Sequence, residues 1–290
     1  LAKMVTGLHF MIKEIKKLTK NKLDLNNLAD KNLSIQLSLD GFSFCVYIPH
    51  SLEVVHFGSY EFSDNHNNSP YKQLELVEKL FENELILNNQ FNNIHVAHLN
   101  NLVAHVPNPI FNKEELSSYL KYSVKVLEND FIAFDEIKNT EIVTVYIPFV
   151  NINNFLFDKY GSFNYQHSSS ILIEKLLTQN KHVSKTTCFV NVSASIFEIV
   201  VLKNNSLILY NLFNYKTKED FIYYILFVSE QLGLNPEEFE LYLMGDIDKD
   251  SELFSIVYKY IRNVQFYKNE TNQLQVDLPL HSHYTLLNTI

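Results

Sequence analysis

The stretch FVNVSASIFEIVVLKNNSLILYNLF, from Phe189 to Phe213, is the most informative part of this sequence. Apolar residues dominate it, a short Ser-Ala-Ser segment interrupts it, and Asn204-Asn205 divides its second half. Asn tolerates the left-handed backbone conformation that tight hairpin turns require. The pattern therefore predicts a meander of three antiparallel strands within residues 187–215.

A similar meander is predicted earlier in the chain, in LSIQLSLDGFSFCVYIPHSLEVVHFGSYEF (Leu33–Phe62). Apolar and polar residues alternate there, which is typical of strands with one buried face. Asp40-Gly41 is a strong hairpin signal, and Pro49-His50-Ser51 marks a second turn. This stretch also predicts three antiparallel strands.

Helices and strands alternate after each meander. After the first, the pattern predicts helices in SPYKQLELVEKLFENEL, NKEELSSYLKYSVKVL, NINNFLFDKYG and HSSSILIEKLLTQ, and strands in NIHVAHL and IVTVYIP. After the second, it predicts helices in TKEDFIYYILFVSEQLG and SELFSIVYKYIRN, and strands in FELYLMGD and VQFY. The order strand, strand, strand, helix, strand, helix, strand thus occurs twice. We therefore expect a mixed α/β fold with two similar lobes, each a mixed sheet covered by helices.

The helix starts carry capping signals that support these assignments. Ser69 precedes Pro70 at the start of the first helix, which is a common N-cap pattern. Asn112 with Glu115, and Thr217 with Asp220, have the spacing of capping boxes. These signals predict where three of the helices begin.

Composition indicates a folded globular protein. The chain has 290 residues, of which 46% are hydrophobic and 13% aromatic, with a formal net charge of -9. An acidic surface repels nucleic acid, although lysines collect in the first thirty residues. We expect residues 1–30 to form a solvated Lys-rich tail, with weak contact to RNA as the alternative. Residues 31–166 and 167–290 are expected to form the two lobes.

The cysteines and the apolar runs favour a cytoplasmic protein. Cys45 and Cys188 are far apart and form neither a metal motif nor a disulfide framework. The longest apolar run, Phe221–Val228, is much shorter than the roughly 20 residues of a membrane span. It is apolar nearly all round, which predicts a helix buried on more than one side. The first residues lack the apolar core and cleavage site of a signal peptide, so none is expected.

The duplicated order resembles the superfold of actin, sugar kinases and chaperone ATPases, which is built on ribonuclease-H-like halves. This resemblance covers about residues 33–267. More narrowly, three segments resemble an uncharacterised family of Bacteroidota proteins catalogued only as a domain of unknown function. The segments are VPNPIFNKEELSSYLKY (Val106–Tyr122), VYIPFVNINNF (Val145–Phe155) and HSSSILIEKLL (His167–Leu177). This narrower resemblance implies no activity.

The wider resemblance points to a nucleotide site whose residues differ here. In active members, the first hairpin of each lobe has an Asp followed two positions later by a Gly. The Asp orients Mg²⁺ and water, and the Gly lets backbone N–H groups approach the phosphates. The matching positions in this sequence are Gln36 and Ser38 in the first lobe, and Asn191 and Ser193 in the second.

A third element of the superfold, a pair of glycines near the adenosine, is also incomplete. LMGDID keeps only Gly245, which is followed by Asp246. Gln36 and Asn191 carry no negative charge, whereas Mg²⁺ bound to a triphosphate takes carboxylate oxygens. We therefore predict that the hairpins keep their shape and lack the chemistry, with no cofactor and no metal.

These observations favour a non-catalytic actin-like scaffold or protein-interaction module. Related members in pilus and secretion machines bind peptide tails of membrane partners, so the resemblance implies another protein or a peptide tail as the partner. Nucleic acid binding and membrane insertion are not expected, and homo-oligomerisation is left open. The alternative is a nucleotide-binding regulator or a kinase-like enzyme with an altered ATP site.

One candidate cation site follows a predicted strand. Asp246, Asp248 and Asp250 have the alternate spacing of a calcium-binding loop. Such a loop continues with a Gly at its sixth position and a Glu at its twelfth, where this chain has Ser251 and Val257. An acidic start to the next helix, stabilised by the helix dipole, is the favoured interpretation.

The remaining candidates are histidines and a serine run. The segment His167–Ser170 invites a nucleophile interpretation, but no Gly-x-Ser-x-Gly elbow surrounds it, so a helix cap is favoured. His95 and His98 lie three apart on a predicted strand and therefore point to opposite faces. His281 and His283 have no third ligand nearby in sequence and are expected to be surface histidines.

Overall fold

The computed structural model describes residues 12–20, 28–62, 69–121, 124–268 and 278–289. The chain divides into two compact units, which are described separately below. The first unit contains Leu1–Ile171, Gln273–Asp277 and Thr285–Ile290. The second contains Leu172–Asn272 and Leu278–Tyr284.

The first unit is built on a mixed sheet with a smaller sheet inserted into it. Its strands are β1 (Ile12–Thr19), β2 (Asn32–Ser38), β3 (Gly41–Ile48), β4 (Glu53–Phe62), β5 (Asn93–Leu99), β6 (Val103–Pro107), β7 (Ala133–Glu136), β8 (Ile142–Tyr146) and β9 (Asn164–His167). Its helices are α1 (Pro70–Asn83), α2 (Leu116–Leu120), α3 (Val150–Tyr160) and the start of α4 (Ser168–Gln179). Three short 3₁₀ turns cover Leu85–Asn88, Asn108–Ile110 and Lys113–Glu115. The strand order of the main sheet is β1–β4–β3–β2–β5–β9.

The predicted meander β2–β3–β4 forms as expected. β2 pairs antiparallel with β3 around the Asp40-Gly41 turn, and β3 pairs antiparallel with β4. Alternate residues of β2, including Ile35 and Leu37, enter a core that also contains Val77 of α1. Ser69 caps α1 by accepting a hydrogen bond from the Lys72 N–H, so the N-cap prediction is confirmed.

The Lys-rich segment is partly structured, which corrects the prediction of a solvated tail. Ile12–Thr19 forms β1 and pairs antiparallel with β4 along almost its whole length. Lys17 Nζ lies 2.6 Å from a carboxylate oxygen of Glu84, whose side chain is nearly buried. Lys13, Glu14 and Lys17 are exposed on this edge strand, and this polar pattern hid the strand from the periodicity argument. Residues 1–11 and 21–27 lie outside the described residues.

A three-stranded sheet with the order β6–β8–β7 is inserted between β5 and α3. It has a small core of its own, to which Val106, Leu120 and Val143 contribute. The long helix predicted for NKEELSSYLKYSVKVL is wrong: a 3₁₀ turn leads into α2, which ends at Leu120. Asn112 accepts a hydrogen bond from the N–H of Glu114, 3.0 Å away, and no capping box with Glu115 forms.

The second unit repeats the main sheet of the first. Its strands are β10 (Thr187–Val192), β11 (Ile196–Lys203), β12 (Ser206–Asn214), β13 (Glu240–Gly245) and β14 (Asn263–Phe266). Its helices are the rest of α4, α5 (Lys218–Gln231) and α6 (Glu252–Tyr260), and α7 (Tyr284–Asn288) begins in this unit. The strand order β12–β11–β10–β13–β14 matches β4–β3–β2–β5–β9.

The predicted duplication is therefore confirmed in form but not in every assignment. In the first unit, the last helix and strand of the repeat are α3 and β9. The strand IVTVYIP, which the sequence pattern assigned to the repeat, is β8 of the inserted sheet. The short polar strand β9 was not predicted, because NYQH shows no apolar alternation.

Helix α5 begins and ends as predicted. Thr217 and Asp220 form the capping box, and Gly233, just past the helix end, has a positive φ of 62°. Its buried residues include Phe221 and Ile225. One face of α5 is buried within the unit, whereas Tyr223 and Phe227 on another face are exposed, so within the chain the helix is not covered on every side; burial of that face under a partner stays a prediction.

Both cysteines are buried and free, and burial raises the pKa of Cys45 and of Cys188 to about 12. Within the described parts of the chain, every helix is too short or too polar to cross a membrane.

Candidate functional site

The turn of the first hairpin is closed by its own side chains. Ser38 Oγ donates a hydrogen bond to Asp40 Oδ1, 2.7 Å away, and the Ser38 carbonyl accepts one from Gln73 Nε2, 2.6 Å away. The Asp40 carbonyl accepts from the N–H of Phe62. Asp40 is only 6% exposed, so its carboxylate lies inside the turn. Gln36 is half-buried on the same face of β2 as Ser38, and its Oε1 has no hydrogen-bond partner among the described residues.

The second hairpin holds a buried amide–carboxylate pair. Asn191 Nδ2 donates to Glu198 Oε2 and the Tyr210 hydroxyl donates to Glu198 Oε1, both at 2.8 Å. Asn191 and Glu198 are opposite each other in the β10–β11 register, and Glu198 is only 1% exposed. Ser193 lies at the turn, where its carbonyl accepts from the Tyr215 hydroxyl at 2.7 Å. Both carboxylate oxygens of Glu198 are therefore engaged within the hairpin.

Gly245 lies against this hairpin at the end of β13. Its φ is +86°, and a Cβ at this position would overlap the Val192 carbonyl oxygen and lie 2.9 Å from Asn191 Oδ1. The Asp246 N–H donates to the same Val192 carbonyl at 2.8 Å, whereas the Asp246 residue is exposed. The structure thus brings Asn191, Gly245 and Asp246 together at the carboxyl end of β10. Glycine is required there because the two backbones are in direct contact.

The C-terminal segment also contacts this region of the second unit. The Gly245 N–H donates to the His281 carbonyl at 2.8 Å, and His281 Nε2 lies 2.8 Å from the Ile247 carbonyl. The His281 ring packs on Phe266 with a centroid distance of 4.3 Å. His281, which the sequence led us to expect as a surface histidine, is therefore half-buried and packed against its unit.

A buried polar cluster in the first unit was missed by sequence reasoning. Asp135 Oδ2 accepts from the His167 N–H at 2.8 Å and from Ser170 Oγ at 2.7 Å. Asp135 Oδ1 accepts from the Tyr146 hydroxyl at 3.2 Å. Burial raises the pKa of Asp135 to about 6, although all three hydrogen bonds act to lower it. The carboxylate of β7 therefore fastens the inserted sheet to the junction of β9 and α4.

His167 extends the cluster to two further groups. Its Nδ1 accepts from the N–H of Ser169, so Nε2 carries the proton and donates to the Asn100 carbonyl at 3.1 Å. Ser169 Oγ lies 2.7 Å from His167 Nδ1 and 3.0 Å from His105 Nε2. Burial is the main cause that lowers the pKa of His167 to about 3 and that of His105 to about 4.

This Ser–His pair is completely buried, so it joins two parts of the unit and does not face a solvent-accessible cleft. The serine run marks the start of α4, and no sequence signal links it to Asp135 or His105, because the partners lie more than thirty residues away. His98, also fully buried, packs on Phe149 and Tyr165.

The acidic loop after β13 leads into a helix. Asp246, Asp248 and Asp250 are exposed, and Ser251 caps α6 by accepting from the Phe254 N–H at 3.1 Å. Among the residues that the structure describes, no three His, Cys, Asp or Glu side chains are grouped so that they could hold a metal ion.

Comparison with known proteins identifies a family and a fold. A family model described as "Protein of unknown function (DUF3822)" matches residues 20–264. No curated protein matches the sequence.

Solved structures show the fold. A Bacteroides thetaiotaomicron VPI-5482 protein described as having an actin-like ATPase fold and unknown function aligns with a TM-score of 0.73 and 23% identity, over 85% of this chain and 94% of that chain. A structure of the PilM–PilN type IV pilus biogenesis complex aligns with a TM-score of 0.54 and 10% identity, over 84% of this chain and 89% of that chain. The chain therefore has an actin-like ATPase fold in two lobes, and the resemblance inferred from sequence is confirmed.

Proposed function

This chain belongs to the DUF3822 family, and from its actin-like fold we propose that it is a non-catalytic cytoplasmic module that binds another protein. Under this proposal it neither holds nor hydrolyses a nucleotide. The observation that carries the proposal is the hydrogen bond between Asn191 and Glu198.

In the second hairpin, the residues present do not fit a magnesium nucleotide. Mg²⁺ takes oxygen ligands in near-octahedral geometry and usually keeps several waters. The Asn191 side chain is neutral and donates its amide to a carboxylate, and that carboxylate also accepts from Tyr210. A metal ion here would have to break these bonds and exchange its own hydration for an oxygen that is almost completely buried.

The first hairpin is unfavourable to phosphate for a different reason. The Asp40 carboxylate occupies the turn. It accepts the hydrogen bond of the Ser38 hydroxyl, which would otherwise be free to donate to a phosphate. Two like charges about 4 Å apart repel by about 4 kcal/mol at an effective dielectric constant of about 20. A phosphate at Ser38 would face this repulsion, and the turn residues 38–41 include no lysine or arginine that could offset it.

The protein partner is inferred from the fold and from the surface. The pilus structure with the same fold is a complex of two proteins, and we extend to this chain only the idea that such a fold can serve as a binding module. Large exposed aromatic side chains on α5, Tyr223 and Phe227, are typical of contact surfaces between proteins.

Calorimetric titration tests the absence of nucleotide binding. We expect wild-type protein titrated with Mg-ATP or Mg-GTP to show no saturable heat up to millimolar concentration. The thermal unfolding temperature should also be unchanged by nucleotide. A nucleotide that did bind would raise it, because a ligand at a hundred times its Kd stabilises the folded protein by about 2.7 kcal/mol.

The matched variant is Asn191→Ala, checked for folding by circular dichroism. Saturation at micromolar nucleotide that disappears in this variant would overturn the proposal and favour a nucleotide-binding regulator or a kinase-like enzyme. Saturation that survives in Asn191→Ala would equally contradict it and would move the site away from the second hairpin.

A further inference from the structure

We propose that the outer edge of β12, together with an adjacent aromatic surface on α5, binds an extended segment of another protein by strand addition. The aromatic surface consists of Tyr223, Tyr224 and Phe227. This inference deepens the proposed function and rests on its claim that the chain binds a protein.

The β12 edge lacks the usual protection of edge strands. Among the strands that the structure describes, β12 is the outermost of its sheet and pairs with β11 alone. Its sequence, SLILYNLFN, contains no charged residue, no Pro and no Gly. Proteins normally protect such edges with charges, especially lysine. The edge strand β1 follows that rule with Lys13, Lys16 and Lys17, whereas β12 does not.

One backbone N–H of β12, that of Leu212, is bonded outside the β11 ladder. The Leu212 N–H donates to the side-chain oxygen of Asn211, 2.8 Å away, so it does not take part in the β11 ladder. An incoming strand can replace this local side-chain bond with a backbone carbonyl at little cost. A bulge near the start of β12 leaves Ile208 47% exposed, so the regular part of the edge is residues 209–214.

The aromatic surface lies directly beside this edge. Phe213 of β12 stacks on Tyr224, with a centroid distance of 4.6 Å and an interplanar angle of 17°. Tyr224 packs edge-on against Tyr223 at 5.3 Å, and Tyr223 stacks on Phe227 at 6.2 Å. Tyr223 and Phe227 are 61% and 42% exposed. Strand addition supplies affinity through the main chain, and alternate side chains of the added strand would pack on these rings.

The charges at the two ends of the edge indicate the occupant. Exposed lysines lie near both ends of the edge: Lys203 is the last residue of β11 and is opposite Ser206 of β12, and Lys216 is two residues past the end of β12. In an antiparallel pair of β12 strands from two copies, Lys203 of one copy would approach Lys216 of the other at both ends, which is repulsive. We therefore assign the edge to an extended segment with apolar residues at alternate positions and acidic residues at its ends.

A synthetic peptide tests this assignment with the full-length chain. The probe is a fluorescein-labelled nonapeptide of alternating valine and threonine with an aspartate at each end; its control has lysines at both ends. We expect the aspartate peptide to bind saturably by fluorescence anisotropy and the lysine peptide to bind at least about tenfold more weakly. Hydrogen exchange at the Leu212 amide should slow when the aspartate peptide is bound.

Two variants report separately on the edge and on the aromatic surface. Leu212→Pro removes the outward N–H on an edge strand, where proline is tolerated, and Phe227→Ser removes one exposed ring. Each should weaken aspartate-peptide binding by about tenfold, the loss expected for a central contact. Tyr71→Ser, which removes an exposed ring from α1 in the first unit, should leave binding unchanged.

Three outcomes would overturn the inference. They are absence of saturable binding, binding that Leu212→Pro and Phe227→Ser leave intact, and concentration-dependent dimerisation that Leu212→Pro abolishes. The last result would assign the edge to a second copy. None of these three outcomes bears on the nucleotide titration, so the proposed absence of nucleotide binding would still stand. Micromolar Mg-ATP binding, in contrast, would overturn the proposed function whether or not the peptide binds.

Discussion

Substitution of Gly245 by alanine would have two destabilising effects, backbone strain and steric overlap, and comparison with Gly233 separates them. Alanine at a positive φ costs about 1 kcal/mol or somewhat more. A Cβ at Gly245 would in addition overlap the Val192 carbonyl oxygen and lie 2.8 Å from the Val192 nitrogen. We expect Gly245→Ala to lower the free energy of unfolding by at least about 3 kcal/mol.

The chain offers its own control for this prediction. Gly233 has a φ of +62° and nothing within 4 Å of the position that a Cβ would occupy. Gly233→Ala should therefore cost only the strain, about 1 kcal/mol. Urea unfolding of both variants measures the difference, and equal costs would show that β10 and β13 are not in close contact at Gly245.

An acidic residue at position 191 should destabilise this protein. Asn191→Asp would place a second carboxylate against the buried Glu198, where the amide now donates at 2.8 Å. Like charges in one buried site cannot both ionise easily, so we expect a loss of about 2–4 kcal/mol at pH 7. The loss should shrink as pH falls from 7 to 5, because protonation of one of the two carboxyl groups removes the repulsion between them.

The double variant Asn191→Asp/Glu198→Gln completes this experiment. It exchanges the amide and the carboxylate and restores the hydrogen bond, so most of the stability should return at pH 7. Urea unfolding at pH 7 and pH 5 measures both effects. An Asn191→Asp protein as stable as the wild type would contradict the buried pair, and the proposal that rests on it would fail with it.

Local chemistry was predictable from sequence, and long-range polar pairs were not. Ser69, Thr217 and Asp220 act through neighbours three residues away, so their caps could be read directly. Glu198 offered a signal that was not used: it is a single charged residue inside the apolar run IFEIVVL, opposite Asn191 in a hairpin. Asp135 offered no such signal, because no sequence motif links it to its hydrogen-bond partners Tyr146, His167 and Ser170.

The junction between the inserted sheet and the β9–α4 segment should make the stability of the first unit sensitive to pH. Burial lowers the pKa of His98 to about 3, of His105 to about 4 and of His167 to about 3, from an ordinary value of 6.5. These histidines take up protons when the unit unfolds below pH 6.5. The stability they contribute is therefore complete above pH 6.5 and is lost as pH falls towards 4.

Asp135 acts in the opposite direction. Its pKa is raised by burial from 3.8 to about 6, so unfolding between these values releases a proton. Its contribution is complete below pH 3.8 and is lost as pH rises through 6. We expect Asp135→Asn to remove this opposing effect, so that stability falls more steeply on acidification from pH 6 to pH 4, by about 1 kcal/mol per pH unit.

Urea unfolding at several pH values between 4 and 7 tests this expectation, with the slope as the readout. Asp158→Asn, at an exposed position on α3, is the control and should keep the wild-type slope. An Asp135→Asn slope equal to that of the wild type would show that Asp135 does not titrate in this range. The slope is informative even where the substitution changes overall stability, because it depends only on proton uptake.

Elements with a clear apolar period were predicted, and those with a mixed period were not. α1, α3, α4, α5 and α6 appear where the pattern placed them. The apolar side chains of α2, such as Leu120, belong to the core of the small inserted sheet, so the apolar period of this stretch did not mark a long helix. β1 and β9 are edge strands with polar faces, and only their pairing with neighbours identifies them.

The duplication made the fold predictable because two weak patterns that agree are stronger than either alone. Each copy gives a five-strand order with three antiparallel strands followed by two parallel ones. The sequence could not show which residues interrupt the first copy, because the inserted segment contains helix-like and strand-like patterns of its own. It also could not show that the C-terminal residues divide between the two units, because no periodic pattern marks that division.

The two copies of the repeat differ most at one junction, the connection between the fourth strand and the second helix of the repeat. In the second unit, residues 246–251 suffice to connect β13 to α6; in the first, residues 100–149 occupy the corresponding junction between β5 and α3. The shorter junction shows that this architecture can close without an inserted sheet. In the first unit, however, removal of residues 100–149 would take Asp135 from Ser170 and His105 from Ser169, and would leave Ser169 bonded to His167 alone among these groups.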